Sequence, residues 1–148
     1  MKVSLERINS DYLFEVSNPN GHRVLLDNNS KIEGSVKGIS PMELLLMGLA
    51  GCSSIDVVSI LNKQKINPTS IKMEVSGERT PGAIPALFHT INVNVILEGE
   101  FSPHKAQRAV DLSFEKYCSV SKTLEHTANI KYSTSSKSGP VFSQAEPL

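Results

Sequence analysis

Short alternating or apolar runs open this chain, one long apolar run follows, and two further alternating runs come after it. Val3 and Leu5, then Tyr12 to Val16, then Arg23 to Leu26 read as strands. Asn18-Pro19-Asn20-Gly21 is a turn between two of them, Asp27-Asn28-Asn29-Ser30 closes the third, and Gly34 to Gly38 is a loop. A helix start comes next: Ser40 as N-cap, Pro41 at the first helical position, and Glu43 completing an S-x-x-E capping box. The run LLLMGLAGCSSIDVVSILNK carries that helix to about Lys63. At about 1.5 Å per residue it is roughly 35 Å long.

Beyond Asn67-Pro68, Ile71, Met73 and Val75 alternate with polar residues, as do Ile91, Val93, Val95 and Leu97. These are two half-buried strands, joined through the irregular segment RTPGAIP and paired antiparallel. Ser102-Pro103 repeats the helix-start pattern, and Ala106, Val110, Ser113, Phe114 and Tyr117 mark one helix face. Ser119 to Leu124 is a further short helix, and Thr127 to Tyr132 a last strand. This order implies an α+β domain over residues 1–132, an antiparallel sheet with a long buried central helix and a second helix, followed by a loose tail over 133–148. The central helix is apolar on nearly every side in its first half, more than one small sheet covers. A homodimer would supply the missing cover.

Composition narrows the function. Fifteen basic and fifteen acidic residues leave a formal net charge of zero, which directs the chain to neither nucleic acid nor an anionic membrane. The N-terminal stretch MKVSLERINSDYLF has charges where a signal peptide would be apolar. The uncharged run Leu44 to Ile55 is too short and too interrupted to span a bilayer. The expected location is therefore cytoplasmic, where permanent disulfides are rare. His22, His89, His104 and His126 lack metal-ligand spacing, and no metal or cofactor is expected. Ser53 and Ser54 lack the setting of a hydrolase nucleophile.

Two cysteines remain. Cys52 lies mid-helix in Gly51-Cys52-Ser53, and Cys118 opens Cys118-Ser119-Val120-Ser121 where a helical segment breaks and restarts. Two remote thiols can attack and resolve only if folding brings them together. Taken singly, a mid-helix cysteine is more often a small core hydrophobe. Gly48 and Gly51 lie inside the helix; Gly51 and Ala50 let another element approach closely, or their bare surface opens room beside the Cys52 sulfur, and packing is the first reading. Asp56, one turn on, reads as part of a polar stripe with Ser53, Ser59 and Lys63 at the exposed edge.

The segments SPMELLLMGLAGC and CSVSKTL resemble those of the OsmC/Ohr family, osmotically inducible protein C and the organic hydroperoxide resistance proteins. Cys52 stands eleven positions after the helix-opening Pro41, and the second cysteine follows at the family interval, with Ser119 in place of the usual proline. The resemblance implies an intertwined homodimer that reduces organic hydroperoxides. Cys52 would be the peroxidatic thiol, Cys118 the resolving thiol, and an external dithiol the reductant. It also implies an arginine from the N-terminal strands, for which Arg23 is the local candidate, and a glutamate near the helix start. The family glutamate position holds Met42 here, and Glu43 is one step on, about 100° around the helix. Glu43 is thus first a capping residue and second a candidate for the site.

The chemistry requires a thiolate, and a free cysteine has a pKa of about 8.5. A cation beside Cys52 would supply the stabilisation, and Arg23 is the expected source. Attack on a peroxide leaves a sulfenic acid, and a second thiol converts it to a disulfide. The competing expectation is a non-enzymatic scaffold that holds a small ligand or partner in an apolar pocket, with both cysteines as packing residues.

Overall fold

The computed structural model describes residues 1–31 and 34–137. They form two compact units, Met1–Met47 and the chain from Gly48 onward.

The N-terminal unit is an antiparallel three-stranded sheet, β1 (Ser4–Arg7), β2 (Phe14–Ser17) and β3 (Arg23–Leu26), in spatial order β1-β2-β3. After β3 the chain returns alongside it, with an isolated parallel bridge between Leu26 and Ile39. Ile39 N–H donates to the Leu25 carbonyl at 2.8 Å, and Asp27 N–H to the Ile39 carbonyl at 3.0 Å. Gly38 permits this approach: a Cβ there would stand 2.7 Å from the Leu26 carbonyl carbon and 2.8 Å from the Leu25 oxygen. The intervening loop is gathered on Asp27, which is only 3 % exposed. Its carboxylate accepts from Lys37 N–H at 2.8 Å, Asn28 N–H at 2.7 Å and the Lys31 ammonium at 3.0 Å. Lys31 also reaches Asp11 at 3.1 Å.

Helix α1 (Pro41–Lys63) begins and ends as its sequence implies. Glu43 Oε2 accepts from Ser40 N–H at 2.8 Å, and Ser40 Oγ accepts from Met42 N–H at 3.3 Å, the reciprocal bonds of a capping box. The helix is long and apolar enough, by length and composition, to cross a membrane. It shares that length and composition with core helices of soluble domains. Its buried positions, Leu49, Ser53, Val57 and Leu61, recur every four residues and mark a core-facing stripe.

The second unit holds β4 (Ser70–Arg79), β5 (Phe88–Glu98) and β6 (Asn129–Lys137) in the order β4-β5-β6. β4 pairs antiparallel with β5, with a register shift at Glu78/Arg79. β6 runs parallel to β5, so this sheet is mixed where the strand order alone implied antiparallel pairing throughout. The parallel direction follows from the connection, since helices separate β5 from β6 and return the chain to the starting end. β6 also continues five residues into the segment expected to be a loose tail. Residues 138–148 lie outside the described residues. Alternate residues Ile91, Val93, Val95 and Leu97 of β5 are buried, as the alternation requires.

Helix α2 (Pro103–Leu112) buries Ala106, Ala109 and Val110. Ser102 caps it through its carbonyl alone, with no side-chain bond. A π-helical turn (Ser113–Tyr117) follows, then helix α3 (Ser119–Leu124). The wider turn leaves Tyr117 half-exposed, off the face its spacing implied, while Phe114 is buried and stacks on Tyr132 with ring centroids 4.6 Å apart.

Two outcomes test this architecture. Gly38→Ala forces a Cβ into backbone and should destabilise by about 1–3 kcal/mol, measured by chemical denaturation; no loss would refute the close approach. The second concerns acid. Hydrogen bonding, chiefly from Lys37 N–H and then from Lys31 and Asn28, outweighs burial and holds the Asp27 carboxyl below its usual pKa. A pKa lower in the folded than in the unfolded state stabilises fully above the unfolded value of about 3.9. That stabilisation disappears as pH falls through the folded value. Asp27→Asn should therefore lower the melting temperature at neutral pH and flatten its fall in acid, and an unaltered acid limb would contradict the assignment.

Candidate functional site

The second unit answers the question posed by the two cysteines. The Cys52 and Cys118 sulfurs and a carboxylate oxygen of Asp56 all lie within 4.8 Å of one another. Cys52 and Asp56 are four residues apart on α1 and so share one face of it. Cys118 arrives from a separate element. The π turn places it, closing with Cys118 N–H donating to the Ser113 carbonyl at 2.8 Å, and Cys118 then caps α3. Single-residue widenings of this kind recur at functional sites because they re-aim one side chain.

Both sulfurs are free thiols with different access. Cys52 is half-buried, whereas Cys118 is fully buried. The Cys118 sulfur accepts from Ser121 N–H at 3.4 Å and lies 3.4 Å from Ser53 Oγ. Ser53 is itself buried and bonds the Leu49 carbonyl of its own helix at 2.7 Å. A hydroxyl has one proton. While Ser53 donates to Leu49 it can only accept from the Cys118 S–H; rotated, it donates to a Cys118 thiolate. Ser113 Oγ donates to the Ser53 carbonyl at 3.4 Å and ties the π turn to α1.

Electrostatics favour the protonated Cys118. Burial pushes its thiol up, the Ser53 hydroxyl and Ser121 N–H pull it down, and proximity to Cys52 pushes it up again. No basic side chain of this unit is among those influences. Asp56 is pushed up by burial, with the Ser113 hydroxyl opposing. Its Oδ2 is buried and has no hydrogen-bond partner among the described residues.

Ser53 and Asp56 thus differ from the sequence expectation of an exposed polar stripe. They turn toward the sulfurs, and Asp56 joins the cluster. Their four-residue relations to Leu49 and Cys52 were the available signal, since those spacings place them inward. A Cβ at Gly48 or Gly51 would meet open space among the described residues. Arg23 and Glu43 belong to the N-terminal unit, where each has local partners. Arg23 is largely exposed and pairs with Glu15 at 3.2 Å. Glu43 serves the cap and accepts from Asn29 Nδ2 at 3.1 Å.

Comparison with known proteins bears on the fold and the family. The family model described as OsmC-like protein matches residues 33–133, more than half of the chain. Protein YhfA of Escherichia coli (strain K12) is 45 % identical over 114 residues, covering 76 % of this chain and 81 % of that protein. An organic hydroperoxide resistance protein OsmC from Legionella pneumophila, described as a predicted redox protein, superposes with TM-score 0.70 at 17 % identity over 91 % of this chain and 97 % of its own. The organic hydroperoxide resistance protein OhrB of Bacillus subtilis does so with TM-score 0.65 at 18 % identity, over 90 % and 96 %. At such identities the last two show a shared fold. With the matched family model and the YhfA likeness, they place this chain in the OsmC-like protein family.

Proposed function

We propose that this chain is a cytoplasmic, homodimeric thiol peroxidase that reduces organic hydroperoxides through a Cys52/Cys118 thiol–disulfide cycle. The observation that carries the reading is the pair of sulfurs within 4.8 Å, one half-exposed and one fully buried. Cys52, the accessible thiol, attacks the peroxide. Its thiolate takes the terminal oxygen, the O–O bond breaks, and the alcohol leaves with a proton. Cys118 waits behind it. Its sulfur attacks the Cys52 sulfenic acid, water leaves, and an S–S bond forms. Such a bond is about 2.05 Å long, so two sulfurs now within 4.8 Å must draw closer to form it. Ser53 and Ser121 supply donors to the attacking Cys118 thiolate. An external dithiol returns the pair to its reduced state. The Legionella and Bacillus organic hydroperoxide resistance proteins support the substrate class, as do the apolar residues beside Cys52 on α1.

A second copy of the chain supplies the missing cover. Gly48, Gly51, Ile55 and Val58 form an exposed stripe on α1 next to Cys52, and Ile55 is 69 % exposed. Ser54, Ile55, Val58, Ser59 and Ile71 line a shallow groove of about 330 Å³ on the same side. An apolar stripe of this kind on a long helix is a site of association. The partner chain would also be a source of the activating cation, a role held for Arg23 of either copy.

Purified protein should consume cumene hydroperoxide with a dithiol reductant. Cys52→Ser should reduce turnover to background, while Cys118→Ser should keep the first reduction and lose cycling as Cys52 passes to sulfinic acid. Full turnover by Cys52→Ser would overturn the assignment. Sedimentation should give a dimer at micromolar concentration and a monomer for Ile55→Glu; a monomeric wild type would refute the partner.

A further inference from the structure

Two thiols and a carboxyl in one cluster make up to three negative charges, and no basic side chain of the unit is among the influences on Cys118. The donors have the layout of a metal site. Cys52 and Asp56 stand at i and i+4 on one helix, a spacing that turns two ligand atoms to the same point, and Cys118 adds a third from a separate turn. Thiolate–zinc bonds are about 2.3 Å and carboxylate–zinc bonds about 2.0–2.2 Å, so donors already within 4.8 Å of one another need only draw in slightly to share one ion. A second observation is independent of the cysteines. Asp56 Oδ2 is buried with no hydrogen-bond partner among the described residues, although the Ser113 hydroxyl bears on the carboxyl as a whole. Around the third ligand, Ser121 N–H and Ser53 Oγ stand 3.4 Å from the Cys118 sulfur, the kind of outer contacts that orient a metal thiolate.

We propose that the reduced Cys52–Asp56–Cys118 cluster binds a thiophilic divalent cation of the zinc class, with a fourth position open to water. Two thiolates and one carboxylate suit zinc over magnesium or calcium, which take oxygen ligands. Binding releases the thiol protons. A disulfide uses both sulfurs, so the ion and the disulfide exclude each other and the site exists only in the reduced protein. When a hydroperoxide oxidises the loaded form, two electrons pass from the thiolates to the O–O bond and the S–S bond forms. The alcohol and water leave with two protons from solvent, and the ion departs. That exchange rests on the peroxidase reading; ion binding does not.

The test is a titration of the full chain with cobalt(II) under a phosphine reductant, followed by displacement with zinc(II). A single ion per chain with sulfur-to-cobalt charge-transfer absorption in the near ultraviolet is expected. Asp56→Asn, checked for native circular dichroism, should weaken cobalt binding at least about tenfold, and Cys118→Ser should lose most of the absorption. Wild-type protein oxidised with diamide should bind none, a result that needs no variant to fold. Absence of the charge-transfer band at one equivalent would overturn the proposal. Unchanged affinity in Asp56→Asn, or full binding by the oxidised protein, would do the same. The readout contains no peroxide, so a protein that binds cobalt but reduces no hydroperoxide would sink the peroxidase reading alone.

Discussion

The π-helical turn at Ser113–Tyr117 and the buried hydroxyl of Ser53 hold the Cys118 sulfur against helix α1. Without that placement the two cysteines would be small hydrophobes on separate elements. The turn adds one residue to the helical ladder, sends Cys118 N–H to the Ser113 carbonyl, and lets a new helix begin at Cys118. The same residue therefore ends one helical segment, caps the next and delivers a thiol to the first helix of the unit. Ser113 and Ser53 join the two sides by a second bond, Oγ to carbonyl at 3.4 Å.

This constraint explains why the site has an inner and an outer sulfur. α1 presents its Leu49, Ser53, Val57 and Leu61 stripe to the interior. Cys52 is one step around from Ser53 and sits at the edge of that stripe, half-exposed. Cys118 docks on the stripe itself and is sealed. Asp56 follows Cys52 by one turn and lies along the same edge. Its presence works against two thiolates at once, since a half-buried carboxylate beside them adds like charge. Like charge at this spacing favours a cluster that keeps its protons.

Much of this was legible in the residues. Ser40, Pro41 and Glu43 announced the start of α1, and the alternation Ile91, Val93, Val95, Leu97 announced β5 and its buried face. The family resemblance, carried by the eleven-residue step from Pro41 to Cys52 and by the second cysteine segment, pointed to the pair. Other features were not legible for physical reasons. A π turn differs from an α turn by one hydrogen-bond shift and carries no composition of its own. Parallel pairing of β6 depends on where α2 and α3 return the chain, which no local pattern records. Asp56 and Ser53 were misjudged because polarity was read as exposure, although Ser53 is satisfied within its own helix by the Leu49 carbonyl. A Cβ at Gly48 or Gly51 would meet open space among the described residues, so no close packing contact there requires glycine.

The central claim is that the buried thiol resolves what the half-exposed thiol begins. Intact mass and peptide mapping after one equivalent of hydroperoxide, with no reductant present, test it most directly. The account predicts a loss of two hydrogens per chain and a single peptide pair joined through Cys52 and Cys118. Addition of oxygen at Cys52 without any such link would contradict it.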